Sequence, residues 1–212
     1  MYLAFPVVYT EAPNTWNQRF PRNYTLWYDR RATQREFETI LTKNKTKGEK
    51  MKNKSVLFLV QGAAIAAIYV ILTFVFSAFA FGEIQVRVSE ALTILPVFIP
   101  AAIPGLFVGC ILGNILGGAI LPDIIFGSLA TLIGALLTYR LRKKPRYIAV
   151  LPPILSNAII VPFILRYGYG VNLPIWSMML TVGAGEVISC GILGILLAKL
   201  LDPYASKIFP SA

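Results

Sequence analysis

Several apolar runs in this chain exceed the roughly 18 residues that mark a membrane-crossing helix. In hydrocarbon every backbone polar group must be paired internally, which leaves helices or closed barrels as the spanning structures. Of the 212 residues, 56% are hydrophobic and 14% charged, against about 25% charged in soluble domains. The sequence therefore predicts an all-α integral membrane protein. Six spans are expected: residues 56–79, a short one at 89–99, one starting near Ala101, one ending near Tyr139, one at 147–165 and one at 174–200.

The net charge of +10 does not point to nucleic acid, because the basic residues gather in the N-terminal tail and beside spans. From Met51 on, Lys52, Lys54, Arg140, Arg142, Lys143, Lys144, Arg146, Lys199 and Lys207 share one side of the expected topology. Arg87 and Arg166 lie on the other. The positive-inside rule then puts both termini in the cytoplasm, as an even number of spans requires. The chain has no histidine, which excludes imidazole metal sites and His-dependent nucleophilic catalysis. Cys110 and Cys190 lie in different apolar spans, give no metal-ligand spacing and are expected to be small buried side chains.

Residues 1–50 form a separate region with 9 Lys/Arg and 5 Asp/Glu and no sustained amphipathic period. They read as a cytosolic extension, disordered or loosely folded. The run Met51-Lys52-Asn53-Lys54-Ser55 before an apolar span reads as a natural beginning, so the extension is also a candidate mis-called start. Residues 51–212 are the membrane domain.

Within that domain, Gly82–Val88 alternates Glu83, Gln85 and Arg87 with Ile84, Val86 and Val88. A period of two is that of a half-buried strand, and its place between two spans predicts an extracellular lid over a ligand site. Ala63 and Ala67 form a small-xxx-small pair on the first span. Gly105, Gly109, Gly113 and Gly117, spaced by four, form a stripe for close helix contact. Pro152, Pro153 and Pro162 predict kinks in the fifth span.

Ionisable groups at membrane depth are costly and mark functional sites by default. Glu186 sits in Gly-Ala-Gly-Glu within the sixth span, Glu90 opens the second, and Asp123 opens the fourth. Asn114 and Asn157 add amides on the third and fifth. Helix-dipole stabilisation, capping and interhelical bonding are the structural alternatives for these positions. In the expected topology all of them fall in the outer half, beneath the lid. A pocket open to the outside and lined by carboxylates and amides suits a small, flat, donor-rich ligand, since a carboxylate takes two parallel N–H donors. Tyr69, Phe79, Phe81, Tyr167, Tyr169 and Trp176 are candidates to stack on a heterocycle. No Gly-xxxx-Gly-Lys-Ser/Thr motif is present, so an ATP-driven process would need a partner. An intramembrane enzyme with Glu186 and Asp123 as acid and base is the competing class. No nucleophile–base pair, metal set or cofactor motif accompanies them, so the chain is not expected to be an enzyme or to carry a cofactor or metal.

Three segments carry a resemblance: Gly-Glu-Ile-Gln-Val-Arg-Val-Ser-Glu-Ala-Leu-Thr-Ile-Leu-Pro at 82–96, Gly-Asn-Ile-Leu-Gly-Gly at 113–118 and Asp-Ile-Ile-Phe-Gly-Ser-Leu-Ala-Thr-Leu at 123–132. They resemble the QueT family over residues 51 to about 203. Its members are similar to substrate-binding S components of energy-coupling-factor (ECF) transporters. The resemblance implies an ECF S-component-like bundle in the plasma membrane of a bacterium. It implies uptake of a queuosine precursor, a 7-deazaguanine base, with a membrane T component and two cytosolic ATPases as partners. It also implies that Ala63 and Ala67 match the Ala-xxx-Ala docking pattern for the T component. On this reading Glu186 takes the guanine-like N–H edge. Asn114 and Asn157 read the carbonyl and ring nitrogens, Glu90 or Asp123 faces an aminomethyl cation, and Glu83, Gln85 and Arg87 belong to the lid. An S component or transporter for another small ligand, such as a vitamin, is the alternative the pocket chemistry leaves open.

Overall fold

The computed structural model describes residues 30–76 and 86–209. It is helical throughout, with no strand among the described residues. The chain divides into two units, Met1–Glu49 and Lys50–Ala212, and the description that follows concerns the second. The first helix, α1, runs Arg30–Val75, so it begins within the segment whose sequence shows no amphipathic period. Its apolar part is Lys54–Val75. The second helix, α2, is Val88–Val97, and α3 is Ala102–Leu116. Then come α4 (Asp123–Arg140), α5 (Arg146–Tyr167) and α6 (Ile175–Tyr204), followed by a short α7 (Ala205–Ile208).

Four of these segments are long and apolar enough to cross a membrane: Lys54–Val75, α4, α5 and α6. The other two expected spans, α2 and α3, are apolar but shorter. At about 2.0 Å per residue for a 3-10 helix and 1.5 Å for an α-helix, each reaches about 20 Å, short of a hydrocarbon core of about 30 Å.

Of the lid segment, Glu83 and Gln85 lie outside the described residues. Arg87 is extended (φ −93°, ψ 98°). Val88 departs from the strand-like reading: it already belongs to the 3-10 helix of α2. The ten-residue 3-10 winding is unusual, since runs beyond three or four residues are uncommon. It lets one short segment cover more depth, and it eclipses residues three apart, so Glu90 and Thr93 share a face. Ser89 through Pro96 are all buried, which makes α2 the central element of the bundle.

The glycine stripe works inside the bundle. A Cβ on Gly105 would come within 2.6 Å of the Gly62 carbonyl oxygen, and one on Gly109 within 2.8 Å of the Tyr69 Cβ. One on Gly113 would lie 3.3 Å from Thr73 Oγ1. Thus α3 presses its bare face against the Gly62–Ala66–Tyr69–Thr73 face of α1. Gly117 caps α3, and Gly118 turns the chain with φ +74°. In α5, Val150 interrupts the helix between Arg146–Ala149 and Leu151–Tyr167. Gly134 of α4 lets Pro153 approach closely, with a Cβ there falling 2.8 Å from Pro153 Cα.

The bundle is chemically two-ended. At one end Ile65, Leu92, Leu95, Phe98, Ile99, Leu106, Ala135, Val150 and Ala198 form the apolar core. The basic cluster caps this end: Arg146 pairs with Asp202 at 2.8 Å and lies over the Phe98 ring, which stacks on Phe209. Toward the other end, the buried side chains turn polar.

Candidate functional site

Each of α1 to α6 contributes a polar residue to that second half. Tyr69 and Thr73 come from α1, and Ser89, Glu90 and Thr93 from α2. Cys110 and Asn114 come from α3, and Asp123, Ser128 and Thr131 from α4. Asn157 (α5) and Glu186, Ser189 and Cys190 (α6) complete the set, and all are buried. The backbone departs from α-helical winding at three places in this layer: the 3-10 helix at Val88–Val97, a π segment at Asp123–Gly127 and another at Val187–Leu193. Non-α backbone at membrane depth persists where it is enclosed by protein or lines a cavity, and π segments concentrate at functional positions.

At the centre stand Glu90, 0% exposed, and Glu186, 3% exposed. The Tyr69 hydroxyl donates to Glu90 Oε1 in a short hydrogen bond, and Thr131 Oγ1 donates to the same oxygen at 3.3 Å. The other oxygen, Oε2, has no hydrogen-bond partner among the described residues. The Cys190 thiol donates to Glu186 Oε2 at 3.1 Å, one helical turn along α6. Thr93 Oγ1 donates to the Glu90 carbonyl at 2.6 Å and lies 3.3 Å from Cys190 Sγ. Asn157 neighbours both carboxylates. One donor atom each from Glu90, Glu186 and Cys190 lie within 4.8 Å of one another. A divalent cation fits that spacing, and so does an organic ligand that brings N–H donors.

A second polar group closes the same end of the bundle. Arg87 lies 3.7 Å from Asp123 Oδ2, and Tyr169, in the turn after α5, donates to that oxygen at 3.0 Å. The Ile120 N–H donates to the Tyr169 hydroxyl at 3.4 Å. Burial, and then the Asp123 charge, push the Tyr169 phenol above its ordinary pKa. Asn114 Nδ2 donates to the Asp123 carbonyl at 3.3 Å. Asp123 Oδ1 has no hydrogen-bond partner among the described residues, and Gly127 leaves room beside it, since a Cβ there would fall 2.7 Å away.

Glu90, Asn114, Asp123, Asn157 and Glu186 therefore lie in one buried polar layer, with Arg87 at its rim. Their side chains are enclosed rather than set in an open mouth. Glu83, Gln85, Phe79 and Phe81 fall outside the described residues. Tyr167 and Trp176 are exposed on the bundle surface. The cysteines are buried, but they are not merely apolar filling: Cys190 hydrogen-bonds a carboxylate and Cys110 accepts from Thr131 at 3.4 Å. Thr93, Thr131 and Cys190 carry no sequence signal stronger than their place one helical turn from Glu90, Gly127 and Glu186. Gly183 is not crowded against Glu186; a Cβ there meets only Ala158, at 3.6 Å.

Ala63 and Ala67 are exposed. Ala63 borders an apolar groove between α1 and α3 with Phe58, Leu59, Gly62, Ala66, Pro104, Gly105 and Val108, about 270 Å³ in volume.

A family model described as QueT transporter matches residues 59–203, more than half of the chain and the whole of the polar layer. No curated protein and no solved structure matches.

Proposed function

The chain belongs to the QueT transporter family, and from that premise we propose that it is the substrate-binding membrane subunit of an ECF-type importer. Its ligand on this reading is a queuosine precursor, a 7-deazaguanine base. The observation that carries the proposal is the pairing of Glu90 and Glu186 in a buried layer, with Asn157 beside both and Glu90 Oε2 without an aligned hydrogen bond among the described residues. Leaving a carboxylate oxygen bare in a low-dielectric interior costs on the order of 1–3 kcal/mol or more. A ligand edge rich in N–H donors removes that cost.

The residue roles follow from what each group already holds. Glu186 takes the guanine-like N–H edge, and Asn157 reads the ring and carbonyl atoms beside it. Glu90 faces an aminomethyl cation. Asp123 is committed to Arg87 and Tyr169, so it closes the site rather than contacting the ligand. Asn114 supports Asp123 through its carbonyl. In this reading α2 and α3 complete six spans with both termini cytoplasmic, in a bacterial plasma membrane. The segment before Arg87, with Glu83 and Gln85, is the lid. The exposed Ala63/Ala67 face meets a T component, which two cytosolic ATPases drive.

The test is a binding assay on purified protein with a radiolabelled 7-deazaguanine base. The proposal expects saturable binding, competed by guanine-like molecules and not by vitamins. Competition by a vitamin instead would assign the site to another small ligand.

A further inference from the structure

We infer that Tyr69 is the positioning residue for recognition at this site: its hydroxyl pins one oxygen of Glu90 so that the other is presented to a cationic substituent of the ligand. The inference rests on the reading of the site as one for a 7-deazaguanine base and deepens it.

The asymmetry of Glu90 carries it. A carboxylate has about four lone-pair sites on two oxygens, yet here Tyr69 donates to Oε1 and Thr131, whose one proton is shared among Oε1, the Gly127 carbonyl and Cys110 Sγ, lies on the same side. Oε2 takes no aligned hydrogen bond among the described residues, with the Asn157 amide the nearest further donor to the carboxylate. That distribution fixes the carboxylate plane and leaves a single oxygen bare. Tyr69 is itself held from two sides. Gly109 of α3 supplies the space its Cβ needs. One turn on, Thr73 Oγ1 donates to the Tyr69 carbonyl and contacts Ser89 Oγ, both at 2.9 Å. Two successive turns of α1 are thus stitched to α2, at Glu90 and at Ser89 just before it. A buried tyrosine needs a partner for its hydroxyl, and here the partner is the carboxylate it orients. The Glu90 carboxylate belongs to a group in which Glu90, Glu186 and Cys190 each bring one atom within 4.8 Å of the others. A primary ammonium, with three N–H donors on one nitrogen, is the ligand group that fits such a spacing.

The test compares two bases on the purified full-length protein by calorimetry: cationic 7-aminomethyl-7-deazaguanine and neutral 7-cyano-7-deazaguanine. The wild type should favour the aminomethyl base. Tyr69→Phe should weaken it about tenfold and leave the cyano base within about twofold, so the ratio narrows. Because Tyr69 acts through Glu90, Tyr69→Phe added to Glu90→Gln should cost nothing further. Should Tyr69→Phe aggregate, Thr131→Val unloads the same oxygen and should narrow the ratio in the same direction. An unchanged ratio in either variant, equal weakening of both bases, or a wild type without preference overturns the inference alone. A wild type that binds neither base overturns it together with the reading of the site.

Discussion

Arg87 and Tyr169 reach the same carboxylate oxygen of Asp123 from two different connecting segments, at 3.7 and 3.0 Å. Both side chains of the Arg87–Asp123 pair are less than a tenth exposed. Taking the Asp123 carboxylate away removes a buried ion pair and the acceptor of the Tyr169 hydroxyl together, a loss of up to about 3 kcal/mol. Asp123→Ala should therefore lower the thermal unfolding midpoint in detergent clearly. Asp202→Ala breaks the Arg146 pair, which is 32% and 44% exposed, and should cost within about 1 kcal/mol. Equal shifts for the two variants would contradict the assignment of Asp123 as the closing residue.

Tyr169 gives that junction a pH signature. Its phenol is pushed up by burial first and by the Asp123 charge second. A raised folded-state pKa means the contribution is complete below the unfolded value of about 10 and is lost as pH climbs through the folded one. Melting curves between about pH 8 and 11 should therefore fall more steeply for the wild type than for Tyr169→Phe. Parallel curves would show that the phenol does not hold the junction.

The glycine ladder predicts which small residues tolerate a methyl group. Gly109→Ala places a Cβ 2.8 Å from the Tyr69 Cβ and 3.1 Å from Ala66. Overpacking of this kind costs about 1–3 kcal/mol. Gly183→Ala meets only an ordinary contact at 3.6 Å and should be near neutral. Thermal unfolding of the two variants side by side checks the order, and a reversed order would contradict the α1–α3 contact.

The proposed docking role of Ala63 and Ala67 can be tested by separating binding from transport. Both are exposed on α1, while an adjoining face of that helix carries Tyr69 and Thr73 into the polar layer. Ala67→Leu should leave ligand affinity of the isolated protein within about twofold, since no site residue moves, and abolish uptake by cells. Lost binding in the purified variant would show that this face is structural.

What the sequence discloses here follows from cost. Glu90, Asp123, Glu186, Asn114 and Asn157 stand out because amides and carboxylates are expensive in hydrocarbon, and the structure gathers all five. The glycine spacing is legible for a similar reason, since only a bare helix face admits another backbone so closely. Thr93, Thr131 and Cys190 are not legible as site residues, and Tyr69 reads as a stacking candidate rather than as the donor to Glu90 that it is. Hydroxyls and thiols are common in membrane helices, and only the fold shows which of them meet a carboxylate. The 3-10 winding of Val88–Val97 is hidden as well, because its apolar residues suit several helical periods. The alternation at Glu83, Gln85 and Arg87 suggests a strand, yet from Val88 on the chain is helical.

The central claim is that Glu90 and Glu186 hold a donor-rich ligand between them. Its most direct measurement is the affinity of purified protein for the labelled 7-deazaguanine base, repeated with Glu186→Gln and Glu90→Gln, each a near-isosteric loss of charge. Hydrogen bonds to charged groups are worth about 1.5–3 kcal/mol, so each variant should bind at least about tenfold more weakly while remaining folded. Wild-type affinity retained in both variants would contradict the account.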